Sequence, residues 1–536
     1  MRKNLDHHRM HDLQQRGRLI TPGTVALALL SLLGGCTVGP KYHQPAALTQ
    51  APPPPAYKEI PKPKPTPANA VASNSSAPNS QDQALQEWQP AQPSDQMLRG
   101  KWWEIYNQPE LNALEDQLNI NNQTIKQYFE NFMEARAIVR EARAQYYPSA
   151  TIGPTWGRGR GSSNLGNNTG TNKAGTTSSL ITAPFDVSWE PDLFGRIRNQ
   201  VHEEQYAAQV SAADLENERL AEQASLAEYF FEIRGQDELQ VVLNSAVDAD
   251  KKALGLAQSR YDTGIDTQLS VVEAKATLES AAAQATNVGL LRAQYEHAIA
   301  MLIGKSASDF SIPVNPMTAA PPPIPVGIPS QLLERRPDIA GAERNMASAN
   351  AAVGVAYSAF FPTVTLSASG GFQSSSWKHL FDWPSRTWSL GVGATETINA
   401  ELGPGLNQYV TIYNSDVAAY RQTVLTAFQQ VEDYLTAVSI YDRQTQQQQQ
   451  AVNSTQAALG LEMGRYETGI DPYLDVVTLQ VSLLNQQQSL VGLQVSQMTS
   501  SVQLIEALGG GWDRTQLPTP QQVTQAPPKV ETKQIQ

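Results

Sequence analysis

Residues 253–266 read Ala253-Leu-Gly-Leu-Ala-Gln-Ser-Arg-Tyr-Asp-Thr-Gly-Ile-Asp266, and the pattern returns later as Ala458-Leu-Gly-Leu-Glu-Met-Gly-Arg-Tyr-Glu-Thr-Gly-Ile-Asp471. The two stretches align without a gap although they lie far apart in the chain. A repeat of this kind indicates one structural unit that is built twice. The chain is therefore expected to consist of two related halves, each of which contains this stretch once.

Each copy of the repeat has the chemistry of a tight helix–turn–helix. Gly264 and Gly469 stand where the residue that follows a helix must adopt a positive φ angle. Asp266 and Asp471 come two residues later, where each is expected to cap the next helix, and Pro472 is expected at the first helical position. The repeat thus predicts two helical hairpins with tips at about 260–267 and 465–472.

An isoleucine stands at each predicted tip, Ile265 in the first hairpin and Ile470 in the second. Such a residue either packs locally or forms a surface for another protein. The tip of a hairpin offers few neighbours to pack against, so we favour a docking surface. The predicted docking residues are Gly264, Ile265, Asp266, Gly469, Ile470 and Asp471.

Composition limits the classes of partner. The sequence has 536 residues, of which 17% are charged, and a net charge of −12, which argues against a nucleic-acid surface. No apolar run after residue 35 approaches the ~18–20 residues of a membrane-spanning helix. If this chain enters a membrane, it is therefore expected to do so through strands.

The N-terminus has the pattern of a bacterial export signal. Basic residues precede an apolar run from Val25 to Leu33, which is too short to span a membrane. The run ends Leu33-Gly-Gly-Cys36, which resembles a lipobox cleaved before Cys36, the sole cysteine of the sequence. The resemblance implies a signal peptide at 1–35 and diacylglycerol and N-acyl groups on Cys36, and Thr37 in place of Asp implies the outer membrane. A buried thiol is the alternative for Cys36.

Proline content and hydrophobic periodicity divide the rest of the chain. Alternating residues predict strands at about 149–157, 180–190, 363–373 and 387–396. Proline-free stretches predict long helices, the first pair at roughly 197–262 and 267–303. The predicted regions are a lipidated Pro-rich linker at 36–99, a first repeat at 100–312, a Pro-rich linker at 313–331, a second repeat at 332–511 and a disordered tail at 512–536.

The four predicted strands share one apolar face and one face of Thr, Ser and Gly. Four such strands cannot close a barrel, and unpaired strand edges are not tolerated in lipid. The polar face would suit a water-filled lumen, although a soluble sandwich would show the same alternation. The lipid anchor and the long paired helices favour a share of a barrel.

The sequence resembles the TolC/OprM/NodT-type outer membrane factors over essentially all of residues 36–511. The resemblance depends on motifs in both halves: Leu33-Gly-Gly-Cys36, Trp102-Trp103, Trp189-Glu-Pro-Asp-Leu-Phe-Gly-Arg196, Leu332-Leu-Glu-Arg-Arg-Pro-Asp-Ile339, Phe360-Phe-Pro362 and both Arg-Tyr-x-x-Gly repeats. The sequence departs from the family at Glu401-Leu-Gly-Pro-Gly-Leu406, which lacks the arginine that usually follows the fourth strand.

The resemblance implies an α+β membrane protein in the Gram-negative outer membrane, lipid-anchored and extending into the periplasm. Three copies would share a twelve-stranded β-barrel, with four strands each, above a periplasmic barrel of long α-helices. Such a homotrimer is the passive exit duct of a tripartite efflux system for drugs or other small molecules. The implied partners are a periplasmic adaptor protein, an inner-membrane transporter of the resistance-nodulation-division type and outer membrane lipid, and the N-terminal lipid is the sole implied cofactor.

The sequence predicts no catalytic residue and no metal site. Its histidines share no metal-ligand spacing, the lipidated Cys36 leaves no mature thiol, and no Gly-x-Ser-x-Gly elbow is present. An enzyme is therefore excluded as the class of protein. Two alternatives to the efflux duct stay open, namely a type I protein-secretion duct and a lipid-anchored periplasmic scaffold without a channel.

A gate is expected near Asp475, one turn into the helix that follows Pro472. By resemblance, acidic residues in this repeat line the constricted periplasmic mouth of the duct. The counterpart of Asp475 in the first repeat is Ser270, so the two hairpins differ here. Tyr466 and Arg465 are candidates for hydrogen bonds that hold the mouth closed. The alternative is that Asp475 only favours the dipole of its own helix.

Overall fold

The computed structural model describes residues 38–48, 52–54, 56–58, 100–162, 164, 175–317, 320–324 and 331–526. The predicted signal peptide, Cys36 and residues 59–99 of the predicted linker lie outside these ranges. The lipidation of Cys36 therefore stays a prediction.

Both halves of the chain follow one order, which is helix, strands and then two long helices. The described helices are α1 Pro109–Asn121, α2 Gln123–Ala144, α3 Arg196–Asp262, α4 Gln268–Leu302, α5 Leu332–Arg335, α6 Pro337–Ser358, α7 Leu402–Glu467, α8 Tyr473–Ala507 and α9 Pro520–Thr524. The strands are β1 Ser149–Ile152, β2 Thr155–Arg160, β3 Thr177–Trp189, β4 Thr363–Ser374 and β5 Arg386–Thr395.

The long helices come in two matching pairs. α3 has 67 residues and α7 has 66, and each leads through a short turn into a helix of 35 residues, α4 or α8. α3 contains no proline, and Pro404 of α7 lies in the first helical turn, where its missing N–H breaks no hydrogen bond. None of the helices in the described ranges has the length and apolar content needed to cross a membrane.

The first predicted strand, at 149–157, is divided into β1 and β2. Both segments pair with β3 in one unbroken register, since Ile152 lies opposite Phe185 and Thr155 opposite Thr182. That register places Gly153 opposite Pro184, and Pro154 itself follows at the gap. Neither proline has an N–H to donate, so the hydrogen-bonded ladder is interrupted here without any change of pairing.

The strands form one antiparallel sheet in the order β1-β3-β4-β5. β2 continues the line of β1 and pairs with the same edge of β3. Because directly paired residues share a face, the register sorts the side chains into two sets. One face is rich in Ser, Thr and Gly, and there Ser369 donates a 2.5 Å hydrogen bond to Asp186. The other face carries large, exposed apolar side chains: Ile152, Trp156, Phe185, Trp388, Leu390 and Val392.

The chain contains two compact units, and each unit draws on both repeats. Within the described ranges, the first comprises residues 38–43, Ile138–Gln205 and Ala347–Asn414, which include the sheet. The second comprises the described residues of Gln44–Ala137 and Tyr206–Met346 together with residues 415–526. The core of the second unit contains a cluster of aromatic and aliphatic side chains, of which the largest are Trp102, Trp103, Tyr106, Phe230 and Phe231.

The prediction of a disordered tail from residue 512 is wrong for the residues up to 526. Trp512 and Val523 are buried, and Arg514 Nη2 lies 3.1 Å from the buried Glu343 carboxylate. α9 begins with a capping box in which Thr519 and Gln522 exchange hydrogen bonds. The sequence of this segment is polar and contains proline, and its buried apolar residues are widely spaced. Such spacing leaves no periodic pattern from which an ordered structure could be predicted. Residues 527–536 lie outside the described ranges.

Candidate functional site

Both helical hairpins end in the same hydrogen-bonded turn. Gly264 and Gly469 have φ angles of +74° and +78°, as the repeat predicts. In each turn the glycine N–H donates three residues back and the isoleucine N–H donates five residues back, which is the Schellman pattern. This turn directs the isoleucine side chains outward, and Ile265 and Ile470 are 66% and 65% exposed.

The expected capping role of the two aspartates is wrong. The N-cap residues are Thr267 for α4 and Pro472 for α8, and neither helix has a side-chain cap. Asp266 accepts from the adjacent Thr267 N–H and from the Ser270 hydroxyl rather than from the N–H groups of the first turn. Pro472 likewise precedes the helix and does not occupy its first position.

The two hairpins are joined by a contact that we call the tip clasp, formed by Arg260, Asp266 and Tyr466. The buried Tyr466 hydroxyl donates a 2.6 Å hydrogen bond to Asp266 Oδ2. The Arg260 guanidinium lies 4.8 Å from the centre of the Tyr466 ring, and it donates a 2.8 Å hydrogen bond to the Glu467 carbonyl oxygen. The clasp therefore connects the turn of the first repeat to the end of α7 in the second.

A small apolar cluster supports the clasp. The Tyr466 and Tyr473 rings lie 5.1 Å apart, and buried Ala253, Ala257 and Ala274 pack in the same cluster. The small alanines of α3 and α4 leave room for two tyrosines from the other hairpin. The long-range Tyr466–Asp266 hydrogen bond left no signal in the sequence, because the repeat places a tyrosine and an aspartate in both hairpins.

The charge state of Asp266 depends on this contact. Burial raises the pKa of Asp266, but hydrogen bonds from Tyr466, Ser270 and the Thr267 N–H outweigh it and hold the pKa below its usual 3.8. A lowered carboxylate pKa means that the ionised form is favoured by folding. The clasp thus contributes fully above about pH 4 and weakens as pH falls through the lowered pKa.

The remaining predicted gate residues, Arg465 and Asp475, interact through their charges, but no hydrogen bond joins their side chains in the described ranges. Arg465 donates a 3.0 Å hydrogen bond from Nη2 to Asp471, and a second from Nε, so it closes its own turn. This hydrogen bonding lowers the pKa of Asp471. Asp475 is exposed in the first turn of α8, whereas its counterpart Ser270 is buried against Asp266.

The family to which the chain belongs is shown by comparison with known proteins. The family model of the outer membrane efflux protein matches residues 114–305 and 328–510, which is most of the chain. The solvent efflux pump outer membrane protein SrpC of Pseudomonas putida is 31% identical over 498 residues, which are 91% of this chain and 98% of that protein. The chain belongs to the outer membrane efflux protein family.

Further comparisons agree with this assignment. The antibiotic efflux pump outer membrane protein ArpC of Pseudomonas putida is 29% identical over 504 residues, covering 92% of this chain and 96% of that protein. The crystal structure of the Campylobacter jejuni CmeC outer membrane channel matches with a TM-score of 0.73 at 22% identity, over 90% of this chain and 96% of that chain. The predicted family, fold class, efflux function and outer-membrane location are confirmed.

We predict that Tyr466→Phe loosens both hairpin tips. The variant keeps the ring against Tyr473 but removes the hydroxyl that Asp266 accepts from. A hydrogen bond to a charged acceptor contributes about 1.5–3 kcal/mol, so amide hydrogen exchange in the two turns should rise about tenfold or more at neutral pH. Hydrogen-exchange mass spectrometry of the tip peptides measures this rise.

Tyr261→Phe is the matched control, because Tyr261 is the repeat counterpart of Tyr466 and its side chain is exposed. In this control, amide hydrogen exchange in the two turns should be as slow as in the parent protein. Equal exchange in Tyr466→Phe and the parent protein would show that the clasp does not hold the tips.

Proposed function

We propose that three copies of this chain close one β-barrel and form the passive exit duct of a tripartite efflux system. The observation that carries this proposal is the sheet, which has one exposed apolar face, one Ser/Thr/Gly face and two open edges. β1 and β2 occupy one strand position, so each chain supplies four positions. Edges that face lipid must be paired, and pairing them between copies yields a closed sheet.

The two faces of the sheet suit this role. An apolar outer face is stable against lipid, and small polar side chains line a water-filled lumen. The polar face carries Asp186 among hydroxyls and glycines, so it offers a passive route rather than a tight binding site. The proposed duct is not an enzyme and needs no cofactor; its N-terminal lipid on Cys36 serves as an anchor.

The proposed cargo is small organic molecules. The names of two relatives support this class, one a solvent efflux pump protein and the other an antibiotic efflux pump protein. Energy for transport would come from an inner-membrane transporter of the resistance-nodulation-division type, connected through a periplasmic adaptor.

Assembly and conductance test the duct directly. Protein purified in detergent should have the mass of three chains by light scattering and should conduct ions in a planar bilayer. The Cys36→Ser variant should lose its lipid but keep both properties, because the barrel supplies its own apolar surface. A single-chain mass, or a trimer that does not conduct, would contradict the proposal.

The hairpin tips are the proposed contact with the adaptor. Three chains present six exposed isoleucines, Ile265 and Ile470 from each. The apolar area at one tip is small, so each contact is weak and the ring of six makes the assembly stable through multivalency. The Tyr466–Asp266 hydrogen bond sets the spacing of the two tips within each chain.

We predict that the double variant Ile265→Glu and Ile470→Glu uncouples efflux while the trimer still conducts. Two charges per chain replace the apolar contacts, and the losses multiply around the ring. The minimal inhibitory concentration of an exported antibiotic should fall to that of a deletion strain. The matched control is Ile265→Leu with Ile470→Leu, which keeps the apolar area and should keep resistance. Full resistance in the glutamate variant would rule out docking at these tips.

Asp475 is the proposed gate residue. The charge of Arg465 interacts with the Asp475 carboxylate, whereas Tyr466 acts on it only through the clasp. The exposed position of Asp475 leaves its carboxylate available to another chain, while Arg465 and Tyr466 have partners within their own chain. We propose that three Asp475 carboxylates surround the periplasmic mouth and that the clasp holds α8 in place behind them.

We predict that Asp475→Ala changes single-channel conductance and cation selectivity, because it removes three converging charges. With an effective dielectric constant of about 20, two unit charges about 8 Å apart interact by about 2 kcal/mol, so cation selectivity should fall more than tenfold. Glu279→Ala is the control, since it removes one exposed carboxylate per chain outside the turns. Identical recordings from Asp475→Ala and the parent channel would place the gate elsewhere.

A further inference from the structure

Three arginines occupy the apolar face of the sheet at its loop end. Arg158 and Arg160 continue the face of Trp156 on β2, because alternate residues of a strand share a face. Arg386 begins β5 and pairs with Phe372, two residues before Trp388 on the same face. All three arginines are exposed. Cations on a face that is otherwise apolar require an explanation.

On each outer strand, the arginines lie beyond a tryptophan of the same strand, farther from the helices. Trp156 lies one same-face position closer to the helices than Arg158, and Trp388 one such position closer than Arg386, while Phe372 lies directly opposite Arg386. Tryptophans on the outer face of a membrane barrel mark the boundary between hydrocarbon and headgroups. The arginines next to these two tryptophans therefore lie at the level of the lipid headgroups.

Among the described residues, no nearby acid compensates the charge of these arginines. In the described part of the chain, no carboxylate pairs with Arg158, Arg160 or Arg386. Asp186 lies on the opposite face, and Asp382 in the β4–β5 loop is bound to His379 at 2.7 Å. Arg386 donates from Nε to the Trp383 carbonyl oxygen at 3.0 Å, and its guanidinium lies over the Trp383 ring. Among the residues that the structure describes, its terminal nitrogens have no carboxylate partner.

The arginines also occupy the two strands that end the sheet. Within one chain β2 and β5 are three strand steps apart, about 14 Å at about 4.8 Å per step. If the sheet closes as proposed above, β5 of one chain lies beside the β1–β2 strand of the next. Arg158 and Arg160 would then lie on the strand next to the one that carries Arg386 of the neighbouring chain.

We propose that these arginines bind the phosphate groups of glycolipid in the outer leaflet, at each seam between chains. The inference rests on the proposed trimer, because one chain holds only part of each site. Arginine forks bind phosphate through paired N–H donors, and the flanking tryptophans suit the adjoining acyl chains. Three cations brought together at a seam would repel one another, and a phosphorylated lipid headgroup removes that repulsion.

The test is lipid binding to the delipidated, full-length trimer, measured by native mass spectrometry. The probes are lipid A, which carries two phosphates, its dephosphorylated form and inorganic phosphate. Each arginine near an anionic surface contributes about fivefold, so Arg158→Gln, Arg160→Gln and Arg386→Gln together should weaken lipid A binding about a hundredfold. Lys251→Gln, Lys252→Gln and Arg443→Gln together remove the same charge from exposed helix positions and should leave binding unchanged.

The outcomes distinguish a lipid-phosphate site from a free-phosphate site, and each of them from no site. Equal binding of lipid A to the arginine variant and the parent protein, or equal binding of dephosphorylated lipid, would overturn the site. Binding of inorganic phosphate as tight as that of lipid A would assign the arginines to free phosphate. If the triple variant does not assemble, each single variant should bind about fivefold more weakly, and three unchanged single variants would contradict the site.

A parent protein that is monomeric by light scattering would refute the duct itself. A conducting trimer that does not prefer phosphorylated lipid would refute only the lipid site. The two failures are therefore distinguishable in one preparation.

Discussion

Every backbone N–H and C=O group that enters lipid needs a hydrogen-bond partner, and this one constraint governs the architecture of the chain. The sheet satisfies it along β3 and β4 but leaves two outer strands with open edges. A four-position sheet cannot curl far enough to pair its own edges. Its amphipathic faces, its open edges and the long helices that flank it therefore make sense only as parts of a larger closed assembly.

The two helical hairpins share one sequence unit but differ in their side-chain contacts. Both turns share the Schellman pattern and the outward isoleucine. The asymmetry comes from the partners of the two aspartates: Asp266 binds Tyr466 of the other hairpin, whereas Asp471 binds Arg465 of its own. A symmetric pair of hairpins thus becomes one coupled unit in which exposed Asp475 has no acidic counterpart, because Ser270 takes its place in the first repeat.

The features that the sequence predicted well are local in the chain. Positive φ at Gly264 and Gly469, the strand alternation and the long helices all follow from short-range patterns. The prediction of an aspartate N-cap failed at Asp266 because Tyr466 of the other hairpin binds its carboxylate. The prediction of a disordered tail failed because single buried residues such as Val523 leave no periodic pattern in the sequence. The Tyr466–Asp266 contact joins residues 200 positions apart, and no local pattern encodes which of two equivalent tyrosines approaches.

The gap between β1 and β2 has a consequence for the chain before it meets its partners. A newly exported chain presents an edge strand that any other extended polypeptide could join. Pro154 removes a donor from the middle of that edge, and Pro184 removes the donor on the strand behind it. The edge available to an incorrect partner strand is therefore divided into two short segments, β1 and β2. The interruption favours a neighbouring strand that pairs with β1 and β2 at the same time. It therefore increases the specificity of assembly.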